Sequence, residues 1–203
     1  MRLFHSHTSP FVRKVMIVLH ETGLLPQVEL TSAAGTPLEP GTMPLAQNPL
    51  GKVPALERDD GPAIYDSRVI CRYLDHLAGG RMYPAGPALW DVLTLEATAD
   101  GIMDAAVLMV YEGKLRPEDK RVPEWVEGQW AKVARSLDAL ETRWIAHLAG
   151  PFDMGQAAVA CALEYLDLRH ADRDWRAGHP GLAAFHARVA GRPSLTATQP
   201  PAA

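Results

Sequence analysis

The stretch Asn48-Pro49-Leu50-Gly51-Lys52-Val53-Pro54-Ala55-Leu56 constrains the fold most, because it sets a proline at the entrance of an apolar strand. Asn48-Pro49 and Gly51 are turn residues, and Val53, Ala55 and Leu56 suit a short strand. Proline removes a ladder donor, so such a strand is either an edge strand or one entered through a special bend. A cis Val53-Pro54 bond is one such bend. It turns the backbone N–H and C=O of Val53 outward, where an extended peptide can pair with them as an added strand. This segment alone leaves both readings, edge strand and peptide clamp, open.

The flanking sequence supplies a frame. Leu3 to Ser6 reads as a strand, and Thr8-Ser9-Pro10-Phe11 opens an amphipathic helix through Val12, Val15, Met16 and Leu19. Pro10 is acceptable in its first turn and Gly23 is its stop. Val28 to Leu30 alternates as a strand, and residues 31–45 read as loop. Ala63 to Tyr65 forms another short strand, after which Asp66-Ser67 caps a helix that ends near Gly79-Gly80. The predicted order is β-α-β followed by β-β-α.

Residues 80–87 read as a linker, rich with Gly79 in glycine and proline, and the region 88–203 that follows carries no strand signal. Helical spacing predicts long helices over 89–115 and 125–148. Asp153 and Gln156 stand three apart as a capping box, in which each side chain bonds the other's backbone N–H. Residues 157–166 are apolar nearly all round, which predicts a buried central helix. A last helix spans 180–191, and Arg192-Pro193-Ser194 precedes a tail too rich in proline and threonine to be regular.

Composition narrows the partners. A formal net charge of −4 without basic runs argues against nucleic-acid or anionic-membrane binding. Cys71 and Cys161 are far apart and form no C-x-x-C pair, so they read as buried small hydrophobes. The chain enters a strand pattern directly, with no apolar leader and no spanning run, so the cytoplasm is the expected compartment. His5 and His7 can share a strand face but lack a third ligand at zinc-like spacing, so no metal is expected.

In this order the chain resembles the cytosolic glutathione S-transferase family, of the bacterial serine type. The resemblance rests on the Ser9-to-Arg13 start, Asn48 to Leu56, Asp66-Ser67, Gly155 to Leu163 and Arg192-Pro193-Ser194, and so covers nearly the whole chain. It implies an α/β plus all-α architecture. Residues 1–79 would form a thioredoxin-like domain with a mixed four-stranded sheet, and 88–203 a helical bundle with an electrophile pocket.

The resemblance also implies a homodimer, no prosthetic group, and glutathione as co-substrate for attack on a small apolar electrophile. Alternatives on the same fold are glutathione-dependent isomerisation, reductive dehalogenation, or ligand binding without catalysis. It implies Ser9 as the hydroxyl donor to the thiolate, with Thr8 and Ser6 as competitors. Thr8, Phe11, Lys52, Val53, Pro54, Asp66 and Ser67 would bind glutathione, with Asp66 on its ammonium and Ser67 on its γ-glutamyl carboxylate. Lys52 is equally readable as a surface lysine, and Arg13 as a ligand contact or a local ion pair. Met103 and Tyr111 are candidates for the electrophile pocket. The family usually carries aspartate where this chain has Gln156.

Overall fold

In the computed structural model, which describes residues 1–200, strand β1 (Arg2–His5) lies inside a sheet of order β2-β1-β3-β4. β2 (Glu29–Ser32) runs parallel to it, with Leu30 opposite Leu3. β3 (Ala55–Arg58) runs antiparallel, with Leu56 opposite Leu3 and Ala55 opposite Phe4. β4 (Gly61–Ile64) is antiparallel to β3, pairing Ile64 with Leu56. The sheet is mixed and four-stranded, as expected. β2 runs two residues into the expected loop, and β4 begins before Ala63 and ends before Tyr65.

Helices α1 (Pro10–Thr22) and α2 (Ser67–Leu77) pack against each other. Leu3, Val15, Ile17, Leu19, Leu56 and Ile70 are fully buried in this layer. Gly23 ends α1 at φ 71°, a left-handed conformation that suits glycine.

Two compact units divide the chain: Met1–Gly86 with the segment from Pro193, and Pro87–Arg192. Two sequence expectations change here. Most of the expected linker is part of the first unit. The reason is Asp75, itself buried, whose carboxylate accepts the backbone N–H groups of Arg81, Met82 and Tyr83 at 2.8, 2.7 and 3.1 Å. The start of the tail is also regular. It forms a short helix α8 (Pro193–Thr196) on α1, where the buried Ser194 hydroxyl donates to the Glu21 carboxylate. Arg13 donates to the Leu195 carbonyl at 3.3 Å and to the Thr198 hydroxyl at 3.4 Å. Those bonds, rather than only a local ion pair or a ligand contact, account for its burial.

The second unit is all-helical among the described residues. Helix α3 (Ala88–Leu115) packs on α4 (Pro123–Ala139) and on α6 (Met154–Arg169). The expected helix 125–148 has a π-helical turn at Leu140–Trp144, followed by α5 (Ile145–Leu148). α6 is buried along most of its length, and a Cβ on Gly155 would stand 2.9 Å from Leu95 Cβ, so glycine sets the approach of α6 to α3. α7 (Pro180–Val189) completes the unit.

The capping box at α6 forms only in half. Asp153 accepts the Gln156 N–H at 3.0 Å. The Gln156 side chain turns away from Asp153 and donates to the carbonyls of His147, Gly150 and Pro151 at 3.2, 3.2 and 2.7 Å. The donor end of the amide faces these carbonyls while its own oxygen is enclosed without a partner among the described residues, and an aspartate at this position has no donor for them. No helix among the described residues is long and apolar enough to cross a membrane.

Candidate functional site

Register brings three chain segments to one end of the sheet in the first unit. β1 ends at His5 and leads into α1. β3 pairs Ala55 with Phe4, so Val53 lies past the end of β1. β4 pairs Ile64 with Leu56, so Tyr65, Asp66 and Ser67 emerge at that same end.

At the first segment, Ser9 is the N-cap of α1, and its hydroxyl accepts the Val12 N–H at 3.3 Å. A hydroxyl that accepts one bond still has its proton to donate. The first turn of α1 carries no acidic residue, so the positive end of the helix is not offset locally. Ser9, Ser6 and Phe11 are half-buried and Thr8 is exposed.

At the second, the Val53-Pro54 peptide bond is cis, in keeping with the special-bend reading. Val53 is half-buried, and within the described residues neither its N–H nor its C=O has a hydrogen-bond partner. Buried Asn48 builds the turn before it: its amide donates to the Lys52 carbonyl at 2.9 Å, and its oxygen accepts the Leu50 N–H at 3.0 Å. Asn48 thus positions the open edge, a role its turn propensity alone did not reveal. Lys52 is exposed and Pro54 buried.

At the third, Asp66 caps α2 by accepting the Arg68 N–H at 3.0 Å, and its second oxygen takes the Arg68 guanidinium at 2.9 Å. Burial pushes this carboxyl up, but the Arg68 hydrogen bonds and charge, with the more distant Lys14, outweigh it and hold Asp66 below the usual carboxylate range. Ser67 is buried at the first position of the helix. Lys14, fully buried on α1, was missed by the sequence reading. Its signal was a lysine inside the apolar run 12–19, where lysine seldom sits unless its charge has a use. With Arg68 and Lys14 beside Asp66, this end of the sheet favours a carboxylate more strongly than an ammonium.

The remaining candidates lie elsewhere. Met103 has no exposed surface, so it is core and presents nothing to a ligand, whereas Tyr111 is half-buried. The His5 and His7 rings meet edge to face at 4.8 Å. Burial, reinforced by His7, lowers the His5 pKa. Among the described residues no three His, Cys, Asp or Glu side chains are grouped to hold a metal.

Residues 8–77 match the family of glutathione S-transferase N-terminal domains, and residues 123–188 the family of glutathione S-transferase C-terminal domains. The chain is 34% identical to the uncharacterized GST-like protein YibF of Escherichia coli (strain K12), over the full length of both. A solved structure of a glutathione transferase family member from Pseudomonas fluorescens Pf-5, with bound glutathione, is 50% identical over 98% of each chain, with a TM-score of 0.95. A glutathione S-transferase from Methylobacterium radiotolerans JCM 2831, in complex with glutathione sulfonate, is 32% identical. That comparison covers all of this chain and 95% of the other, with a TM-score of 0.84.

Proposed function

Because the chain belongs to the glutathione S-transferase family, we propose that its first unit binds glutathione and activates the thiol for attack on a small apolar electrophile. The observation that carries this reading is the unpartnered Val53 backbone at the same end of the sheet as the heads of α1 and α2. Val53 pairs with the tripeptide backbone as with a strand. Ser67 and the α2 amides take the γ-glutamyl carboxylate, helped by Arg68 and Lys14. Asp66 takes the ammonium with the oxygen capacity that Arg68 leaves, and Lys52 meets the glycyl carboxylate. The relatives solved with glutathione and glutathione sulfonate support this ligand class.

The thiol then lies at the head of α1. A thiol with pKa about 8.5 is only a few per cent thiolate at neutral pH, and lowering it by about two units takes about 2.7 kcal/mol of preferential thiolate stabilisation. A charge-assisted hydrogen bond contributes about 1.5–3 kcal/mol and a helix dipole up to about 2. Ser9 and the unopposed end of α1 are together sufficient. The proton leaves to solvent, the thiolate forms the C–S bond, and the electrophile's leaving group departs with the bonding pair.

Titrating the protein with glutathione and following the ultraviolet absorbance of the bound thiolate tests this. The expected apparent pKa is about 6.5, returning towards about 8.5 in Ser9→Ala with binding retained. A wild-type complex with an ordinary thiol pKa is the outcome of a binding protein without transferase activity, and loss in Thr8→Val or Ser6→Ala instead reassigns the donor. The proposal includes a homodimer, which sedimentation velocity checks.

A further inference from the structure

The helical unit holds an arginine with no part in the proposed thiol chemistry. Arg169 is the last residue of α6, and its Nε is enclosed by protein yet has no hydrogen-bond partner. Among the described residues no carboxylate lies within ion-pair distance of its guanidinium, unlike Arg173 and Arg176 nearby, which pair with Glu127 and Asp167. An arginine that only offset the negative end of α6 would project into solvent, with its donors hydrated. Arg169 is instead half-buried and held by its surroundings.

Two phenols stand with it. Tyr165 is one turn back on the same face of α6, and Tyr111 comes from α3, which packs along α6. Burial pushes the Tyr165 hydroxyl up, the Arg169 guanidinium beside it opposes that rise by its charge, and Tyr111 is close enough to add to it. The Tyr165 hydroxyl therefore remains a protonated donor near neutral pH. His170 adds no second cation: burial keeps it neutral, and its Nε2 meets the Ala106 carbonyl at 3.0 Å. One unpaired guanidinium with two phenolic donors and two flat rings suits a singly charged, planar anion on an aromatic or short apolar body. A phosphate dianion would need more positive charge than this.

The geometry points to Arg169, with Tyr165 and Tyr111, as a carboxylate-recognising site in the helical unit, selecting small organic acids. The inference concerns what the helical unit binds and stands apart from the thiol chemistry of the first unit.

Calorimetry on the full chain with 3,5-dinitrobenzoate and its uncharged isostere 3,5-dinitrobenzamide tests the site directly. The carboxylate should bind at least about tenfold more tightly, equivalent to about 1.4 kcal/mol. Arg169→Met should erase that difference. Arg169→Lys, which keeps the charge without the fork, should retain part of it, and Tyr111→Phe should weaken carboxylate binding about threefold (about 0.65 kcal/mol). Equal affinities in the wild type, no measurable carboxylate binding, or an unchanged preference in Arg169→Met each overturn the inference. If Arg169→Met does not fold, undiminished preference in both Arg169→Lys and Tyr111→Phe overturns it.

Discussion

Asp66 at the head of α2 and Asp153 at the head of α6 make the same first bond: a carboxylate oxygen accepts a backbone N–H at 3.0 Å, from Arg68 and Gln156 respectively. Beyond it they diverge. The second oxygen of Asp153 meets His147 Nε2 at 2.7 Å, its side chain is 17% exposed, and Gln156 ties off the carbonyls of the preceding turn. Asp66 is 51% exposed, its second oxygen is taken by a flexible arginine, and the buried Ser67 follows it. One cap locks a fold, while the other leaves a helix end accessible. A capping residue is therefore no guide to function by itself; what its neighbours leave unpaired is.

Removing each cap is the strongest way to break this contrast. Asp153→Ala loses the N-cap and the His147 partner together, and should lower stability by about 2–4 kcal/mol in chemical denaturation. A loss below about 1 kcal/mol would make the two caps equivalent. Gln156→Asp comes next, with an expected loss of about 1–3 kcal/mol, because a carboxylate has no donor for three carbonyls and places charge against them.

Asp66→Ala should cost no more than about 1 kcal/mol of stability, since the group is exposed and its ion pair is screened. Its larger effect should be on glutathione affinity, read by calorimetry. The smallest effect concerns protons. His5 in the first unit and His170 in the second are both held below 6.5, chiefly by burial. The unfolded chain then binds more protons than the folded one as pH falls through 6.5, so stability present above that pH declines on acidification through the folded-state values. NMR titration of the imidazoles should place both midpoints under 6.5, and a midpoint at or above it in either contradicts the assignment.

The sheet and its two helices were legible because local chemistry fixes them. Pro10, Gly23, Asp66 and Gly79 punctuate α1 and α2 close to their observed ends, and the bend at Pro54 follows from a missing donor. The long helices of the second unit were legible from their period, although the π-turn at Leu140–Trp144 left no local mark. What escaped depends on partners distant in sequence or facing an unforeseen side. Arg13 meets Leu195 across 182 positions, Gln156 turns towards carbonyls rather than Asp153, and Asp75 gathers three amides of a segment that reads as linker. For the candidate site, residue types were readable, but the burial of Lys14 and Met103 was not, because a helix pattern alone does not say which chain covers it.

Helix α8 gives the layer around α1 an unusual schedule. The hydroxyl that meets Glu21 belongs to a residue made 173 positions later, after the whole helical unit has been synthesised. Until then the growing polypeptide carries an α1 whose buried Arg13 lacks its Leu195 and Thr198 acceptors. The layer built first is the one finished last, so translation itself delays completion of the face that bears Ser9.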